Sequence, residues 1–220
     1  PWRDTWSSFF SLVLGLARHL LSEGRTVRFG KPLATSLEWT AKGSPLPDPL
    51  IDDDVRFVGT TLGIDETRLI PSLHLLSPET ADTRLRQGNL DAGTGLEMLL
   101  NDLQNDQDSF TMLEAAGSLH EGLMYGLSLV QLAQGLDAPV ILVHLWQDSR
   151  SVDALLAAQH QLGDRLAGVV LNAVTPDEVE ELNQHVVPAL QALGLKVFGV
   201  MPRSPLLRSV TVGELVRRLD

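Results

Sequence analysis

Three short apolar runs in the second half of the chain, spaced by stretches of helical length, decide most of what it can fold into. Val140–Leu145 (VILVHL), Ala167–Leu171 (AGVVL) and Lys196–Val200 (KVFGV) each read as a strand. Ser151–Leu162 and Asp177–Leu193 lie between them as helices, the second with an acidic first turn. Apolar strands alternating with helices of this length form a parallel sheet. The expected class is α/β, a three-layer, doubly wound, mostly parallel sheet.

The first half is less regular. Phe9–Leu21 is a nearly all-apolar helix, of the kind buried against a sheet, closed by Ser22-Glu23-Gly24. Such a helix normally follows a strand, and none precedes it here. Thr26–Gly30 reads as a strand, Ala34–Pro49 as a loop, and Asp52–Leu62 as a helix. Asp52, Asp53 and Asp54 stand in or near its first turn, where the helix dipole favours negative charge. Leu69–Leu76 reads as a connection, and Pro78 to about Leu103 as helix interrupted at Gly88, Gly93 and Gly95. A polar loop over Asn101–Ser109 leads to a strand, Phe110–Leu113, that ends on Glu114, with a helix start near His120-Glu121. The last predicted helix is Val212–Leu219. No repeat or linker divides the chain, so residues 1–220 are expected to form one domain.

Composition removes several classes of function. A net charge of -11 argues against a nucleic-acid partner or an anionic membrane surface. The absence of cysteine removes disulfides, thiolate metal sites and cysteine nucleophiles. No apolar run reaches the roughly 18–20 residues of a membrane span. The opening PWRDTW lacks the basic start and apolar core of a signal peptide. A cytoplasmic protein is expected.

In open parallel sheets, ligands bind at the carboxyl ends of the strands. The residues predicted there are Lys31, Glu114, Gln147-Asp148, Asn172 and Pro202-Arg203. Each has a plain structural reading: a turn lysine, a helix-capping acid, a strand-ending asparagine. Together, a lysine, an acid and an amide on one edge have the composition of a phosphate or nucleotide site.

The order strand-Lys-Pro, acidic helix start, strand-Glu-small-small-Gly, strand-Asn-x-Val and strand-x-Pro resembles dethiobiotin synthetase-like P-loop proteins. SLHEGLMYGLSL, LDAPVILV, LAGVVLNAV and VFGVMPRSPLLRSVTVGEL look more like the synthetase-like domain at the front of bacterial phosphotransacetylases and related stand-alone, cyanobacterial-type proteins. The resemblance implies that Lys31, in GKPLAT, contacts phosphate and substrate as the one catalytic candidate, with Thr35 just beyond it. It implies magnesium ligands at Asp54 and Glu114, and nucleotide contacts at Asn172 and Pro202. Magnesium and ATP are the cofactors it implies, and self-association is common among such relatives.

One departure falls where the family's phosphate loop belongs. Such loops carry glycines, whose bare backbone lets several N–H groups converge, followed by Lys and Ser/Thr. Relatives have a Tyr-Ser-Gly-Lys-Ser-like run where this chain has Trp6-Ser7-Ser8-Phe9-Phe10, and no lysine precedes Lys31. Losing that lysine removes a charge-assisted contact of roughly 1.5–3 kcal/mol, so strong ATP turnover is not expected. Ser7 and Ser8 remain as anion ligands at the helix start. The loop is either degenerate or, since family-like sequence begins abruptly near Ser11, displaced by a change upstream of about Leu12.

Three functions remain open. The first is a regulatory or ligand-sensing module with a nucleotide-binding fold and no robust ATPase or ligase activity. The second is an ATP- and magnesium-dependent ligase of the dethiobiotin or cobyrinate amidation type. The third is a non-catalytic scaffold or assembly protein with a protein partner. His120 is the one histidine beside the proposed site.

Overall fold

The computed structural model describes residues 3–37, 46–88, 90–106 and 108–203, with side chains from Ser11 onward. The predicted Val212–Leu219 helix lies outside the described residues. By its contacts the chain divides into two compact units, Leu14–Ala138 and Pro1–Val13 with Pro139–Asp220.

The first helix, α1, runs Arg3–Ser22, six residues earlier than the apolar pattern indicates. In the Leu14–Ala138 unit it leads to strand β1 (Thr26–Gly30). β1 is the centre of a parallel three-stranded sheet, between β3 (Leu69–Ile70) and β5 (Ser109–Leu113). A two-stranded parallel pair, β2 (Leu33–Ala34) with β4 (His74–Leu75), lies just beyond. Two-residue strands have no period to read, which is why Leu69–Leu76 looks like a plain connection in the sequence.

Capping chemistry sets the helices. α2 (Asp53–Leu62) starts on Asp52, whose side chain accepts from the Asp54 N–H, and stops at Gly63 with φ 66°. α3 (Pro78–Gln87) has proline at its first position, a Ser77–Thr80 capping box and a left-handed Gly88. These are the start and stop signals that chain geometry favours. α4 (Thr94–Asn105) presents Leu99 to the core and takes in the first half of the polar stretch predicted as loop.

The helix expected near His120 starts later. Gly122 (φ 92°) and Gly126 (φ 67°) are both left-handed, which no continuous right-handed helix tolerates. A 3₁₀ turn fills Leu123–Tyr125, and α5 (Leu129–Gly135) opens on a Ser128–Gln131 capping box.

The other unit follows the sequence closely. β6 (Val140–Leu145) and α6 (Ser151–Leu162) have the predicted bounds. β7 (Leu166–Val174) and β8 (Val197–Pro202) complete a parallel sheet in the order β6-β7-β8. Its core joins Trp146, Leu155, Val169, Leu171, Leu182, Leu190 and Leu195. The helix predicted over Asp177–Leu193 is instead a 3₁₀ turn, α7 (Val179–Glu181), a π segment (Leu182–Val186) and α8 (Val187–Ala192). Pro188 has no N–H to return to the preceding turn, and a widened π turn absorbs that gap. The fold is α/β with parallel sheets, as expected. Among the described residues no helix is long and apolar enough to cross a membrane.

The register of β1 fixes which residues meet at the carboxyl edge of its sheet. Gly30 stands opposite Leu113 on one side and Ile70 on the other. A Cβ at Gly30 would lie 2.5 Å from the Cβ of Ile70. Gly30→Ala is therefore expected to force β1 and β3 apart, at a cost of about 1–3 kcal/mol in urea unfolding.

Candidate functional site

Because Gly30 pairs with Leu113, the next residues along both strands, Lys31 and Glu114, emerge side by side at the carboxyl edge. The Glu114 N–H donates to the Gly30 carbonyl at 2.8 Å, carrying the pairing one step past β5. The Lys31 carbonyl accepts from the Ser72 hydroxyl at 2.6 Å. The backbone at this edge is thus tied on one side by the residue after β5 and on the other by Ser72, just past β3.

Lys31 is only 1% exposed. Its ammonium lies 2.8 Å from Asp54 Oδ2, 3.2 Å from Glu114 Oε1 and 3.7 Å from Asp52 Oδ1. Three carboxylates, from the start of α2 and the end of β5, therefore surround one amine. The expected trio of Lys31, Asp54 and Glu114 comes together, and Asp52 joins it.

The three consecutive aspartates have three different jobs. Asp53 takes a hydrogen bond from the Ser36 hydroxyl at 2.9 Å, and Asp54 reaches Lys31. Asp52, fully buried, accepts from the backbone N–H groups of Thr35 (2.7 Å), Ser36 (3.0 Å) and Asp54 (2.8 Å). It caps α2 and pins the Lys31–Ser36 segment to that helix with one carboxylate. Sequence pattern alone does not assign it that role; an acid at the first position of the predicted helix was the signal present.

Electrostatics follow burial. Burial pulls the Lys31 ammonium down, but Glu114, Asp52 and Asp54 outweigh it, and the net shift is upward. Burial raises the Asp54 carboxyl, against the opposing pull of Lys31. Burial also dominates at Glu114, where Lys31 offsets only part of it and Asp54 adds repulsion, so the carboxyl is pushed up to about 7. Glu114 is 8% exposed, and its Oε2 has no hydrogen-bond partner. The buried Thr35 hydroxyl also lacks one, while the Thr35 backbone is held by Asp52.

These groups fit a magnesium–phosphate ligand. Magnesium takes oxygen ligands and is usually bound by one or two carboxylates together with waters and phosphates, rather than by a protein cage. Among the described residues no group of three or more His, Asp or Glu forms such a cage. Asp54 and Glu114 would supply the two carboxylates, and the Glu114 oxygen without a hydrogen-bond partner would be available as a ligand atom.

The other expected site residues are placed differently. Ser7 and Ser8 lie inside α1, which begins at Arg3. Only the first four N–H groups of a helix are unpaired, so the serine amides lie beyond those groups in α1. Asn172 and Pro202 belong to the second unit. β7 continues past Leu171, so Asn172 is within the strand, fully buried. Its Oδ1 accepts from the Ala173 N–H at 2.8 Å, its Nδ2 has no partner, and Ala173 takes a left-handed φ of 56°. Pro202 ends β8 opposite Val174. His120, beside the site in sequence, stands in the turns after Glu114, before the 3₁₀ turn.

A family model described as AAA domain matches residues 9–211. The chain belongs to this AAA-domain family. It is also 26% identical over 220 residues to an ATP-dependent dethiobiotin synthetase of Pseudomonas aeruginosa PAO1, covering 99% of this chain and 92% of the relative. The same protein of strain LESB58 matches equally. The AAA-domain match and this similarity support a dethiobiotin-synthetase-like, P-loop NTPase-like fold.

Two tests probe the site's construction. Asp52→Ala leaves three backbone N–H groups without their acceptor and is expected to cost about 3 kcal/mol or more. Asp65→Ala, which removes an exposed cap on Thr67, should cost about 0.5–1 kcal/mol. For Glu114, a raised native pKa means the native state holds a proton that the unfolded chain has released. Stability should therefore fall as pH rises from 4.5 through about 7, by on the order of 3 kcal/mol. Glu114→Gln should flatten that slope in denaturation curves taken at successive pH values.

Proposed function

We propose that this domain binds a magnesium–nucleotide at the Lys31–Asp54–Glu114 edge and acts as a regulatory or ligand-sensing module without robust turnover. The observation that carries the reading is the buried ammonium with acid partners at 2.8 and 3.2 Å. A lysine is rarely buried unless something charged needs it. Asp54 and Glu114 would hold magnesium, which neutralises phosphate charge; Lys31 would meet a phosphate oxygen, with Thr35 beside it. From the family resemblance, and apart from that edge, we assign base reading to Asn172 and a nucleotide or phosphate contact to Pro202.

The sensing role rests on Trp6–Phe10, where two phenylalanines replace the lysine and hydroxyl of a phosphate loop. Phosphoryl transfer depends on a cationic clamp, and Lys31 alone is a partial one. Kinship with the front domain of phosphotransacetylases is part of this reading, as is a cytoplasmic location. The family match crosses both units, which supports treating residues 1–220 as one domain. An ATP-dependent ligase is the second reading, favoured by the similarity to ATP-dependent dethiobiotin synthetase across 99% of the chain.

Thermal unfolding with magnesium–ATP, –ADP and –CTP tests the proposal. At a hundredfold excess over Kd, native-state binding adds about 2.7 kcal/mol, or roughly 5–10 °C for a chain of this size. The rise should be present in the wild type and lost in Lys31→Ala and Asp54→Asn. No rise at millimolar nucleotide would sink the reading. ADP release above background with a carboxylate or carbamate substrate would favour the ligase.

A further inference from the structure

We infer that the Lys31 ammonium is a resident counter-cation, which a divalent cation must displace from Asp54 and Glu114 before it can bind them. The inference rests on the magnesium–nucleotide reading of the site and adds the order in which charges exchange there.

The geometry argues for exclusion. The amine lies 2.8 Å from Asp54 Oδ2 and 3.2 Å from Glu114 Oε1, bridging both acids. Magnesium binds oxygen at about 2.0–2.1 Å, so a shared ion would draw both oxygens inward onto the place the amine holds. Two cations in one buried pocket also repel each other strongly, because little solvent screens them. The amine and the metal are therefore alternatives.

The site also carries a mark of an incomplete ligand set. Lys31 engages Glu114 through Oε1, while Oε2 of the same buried carboxylate has no partner. An orphaned carboxylate oxygen is costly, and a divalent ion that engages both oxygens would satisfy it. Lys31 has the means to leave. Its backbone is fixed by Ser72 and by the register of β1, but its four-carbon stem is flexible.

A displaced ammonium in this setting needs a new anion, and a phosphate group arriving with the metal supplies one. The exchange thus couples the two ligands: metal alone costs the amine its contacts with Asp54 and Glu114, whereas metal with phosphate gives it a new anion in their place. Coupling of this kind is reciprocal between the two ligands.

Manganese binding followed by electron paramagnetic resonance tests this on nucleotide-free protein. Lys31→Met should bind manganese at least tenfold more tightly than the wild type, and Lys31→Met with Glu114→Gln should lose the gain. Added ADP should strengthen manganese binding in the wild type far more than in Lys31→Met. Equal manganese affinity in the wild type and folded Lys31→Met would overturn the inference.

Amine acylation of the wild type, read by mass spectrometry, does not depend on the variant folding. Lys31 should be protected without metal and react faster in saturating manganese, with exposed Lys196 as the reference. An unchanged rate would overturn the exchange. A wild type blind to magnesium–ATP would sink the nucleotide reading, while tighter manganese binding by Lys31→Met would still support the resident counter-cation.

Discussion

The charge balance around Lys31 is the constraint on which the Leu14–Ala138 unit depends. A buried ammonium without partners would lose its proton, and two buried carboxylates and a half-buried one, without a cation, would be driven to take protons up. Each is tolerated because the other is present. Removing one member of such a group costs more than the interaction itself is worth, since the remaining charge stays buried and unmatched. The cluster is therefore a poor source of stability and a strict condition for it. A fold selected for stability alone would place leucine and valine here, as it does throughout the core beneath β7. That the acids and the lysine persist at a strand edge is the physical reason to read the place as a site.

Asp52 converts this balance into geometry. Its carboxylate spans three backbone N–H groups on two segments, so the loop after β1 and the first turn of α2 cannot move independently. Pairing of β2 with β4 adds a second tie, and the Asp53 N–H donates to the Ser36 carbonyl as a third. The result is a rigid frame in which Asp54 and Glu114 face the same amine. A site built on strand ends and a helix cap holds its groups more tightly than one hung on a free loop.

Most of this was legible in the sequence where the signal is local. Strand ends carry Lys31 and Glu114, so their positions follow from pattern, while Asp54, one of three acids at a helix start, is singled out by the family resemblance. The bounds of β6 and α6 follow in the same way. What was not legible is what the backbone does at a distance. Nothing in Thr35 and Ser36 says that their amides meet an aspartate seventeen and sixteen positions later. β3 and β4 are too short to show alternation, and the left-handed backbone of Gly122 and Gly126 is invisible beside an apolar stretch that suits a helix. The serines at 7 and 8 look like a helix start because the apolar stripe begins after them, yet the backbone coils from Arg3. Periodicity marks the buried face of a helix and is silent about how far the helix runs beyond it.

The same frame that fixes the acids leaves one adjustable part. Gly30 admits Ile70 so closely that β1 and β3 are set against each other without a side chain between them. β5 is locked by register on the other side, with the Glu114 N–H continuing the ladder. Glu114 has a short tether from that ladder, and Asp54 hangs from a capped helix. The long stem belongs to Lys31. A ligand that changes the charge at this edge meets resistance everywhere except along that stem, so the response to binding is concentrated in the position of one ammonium group. An arginine there would hold the acids in a broader, planar grip with donors on several sides. A lysine can be traded for another cation one for one, which is the property this edge of the sheet requires.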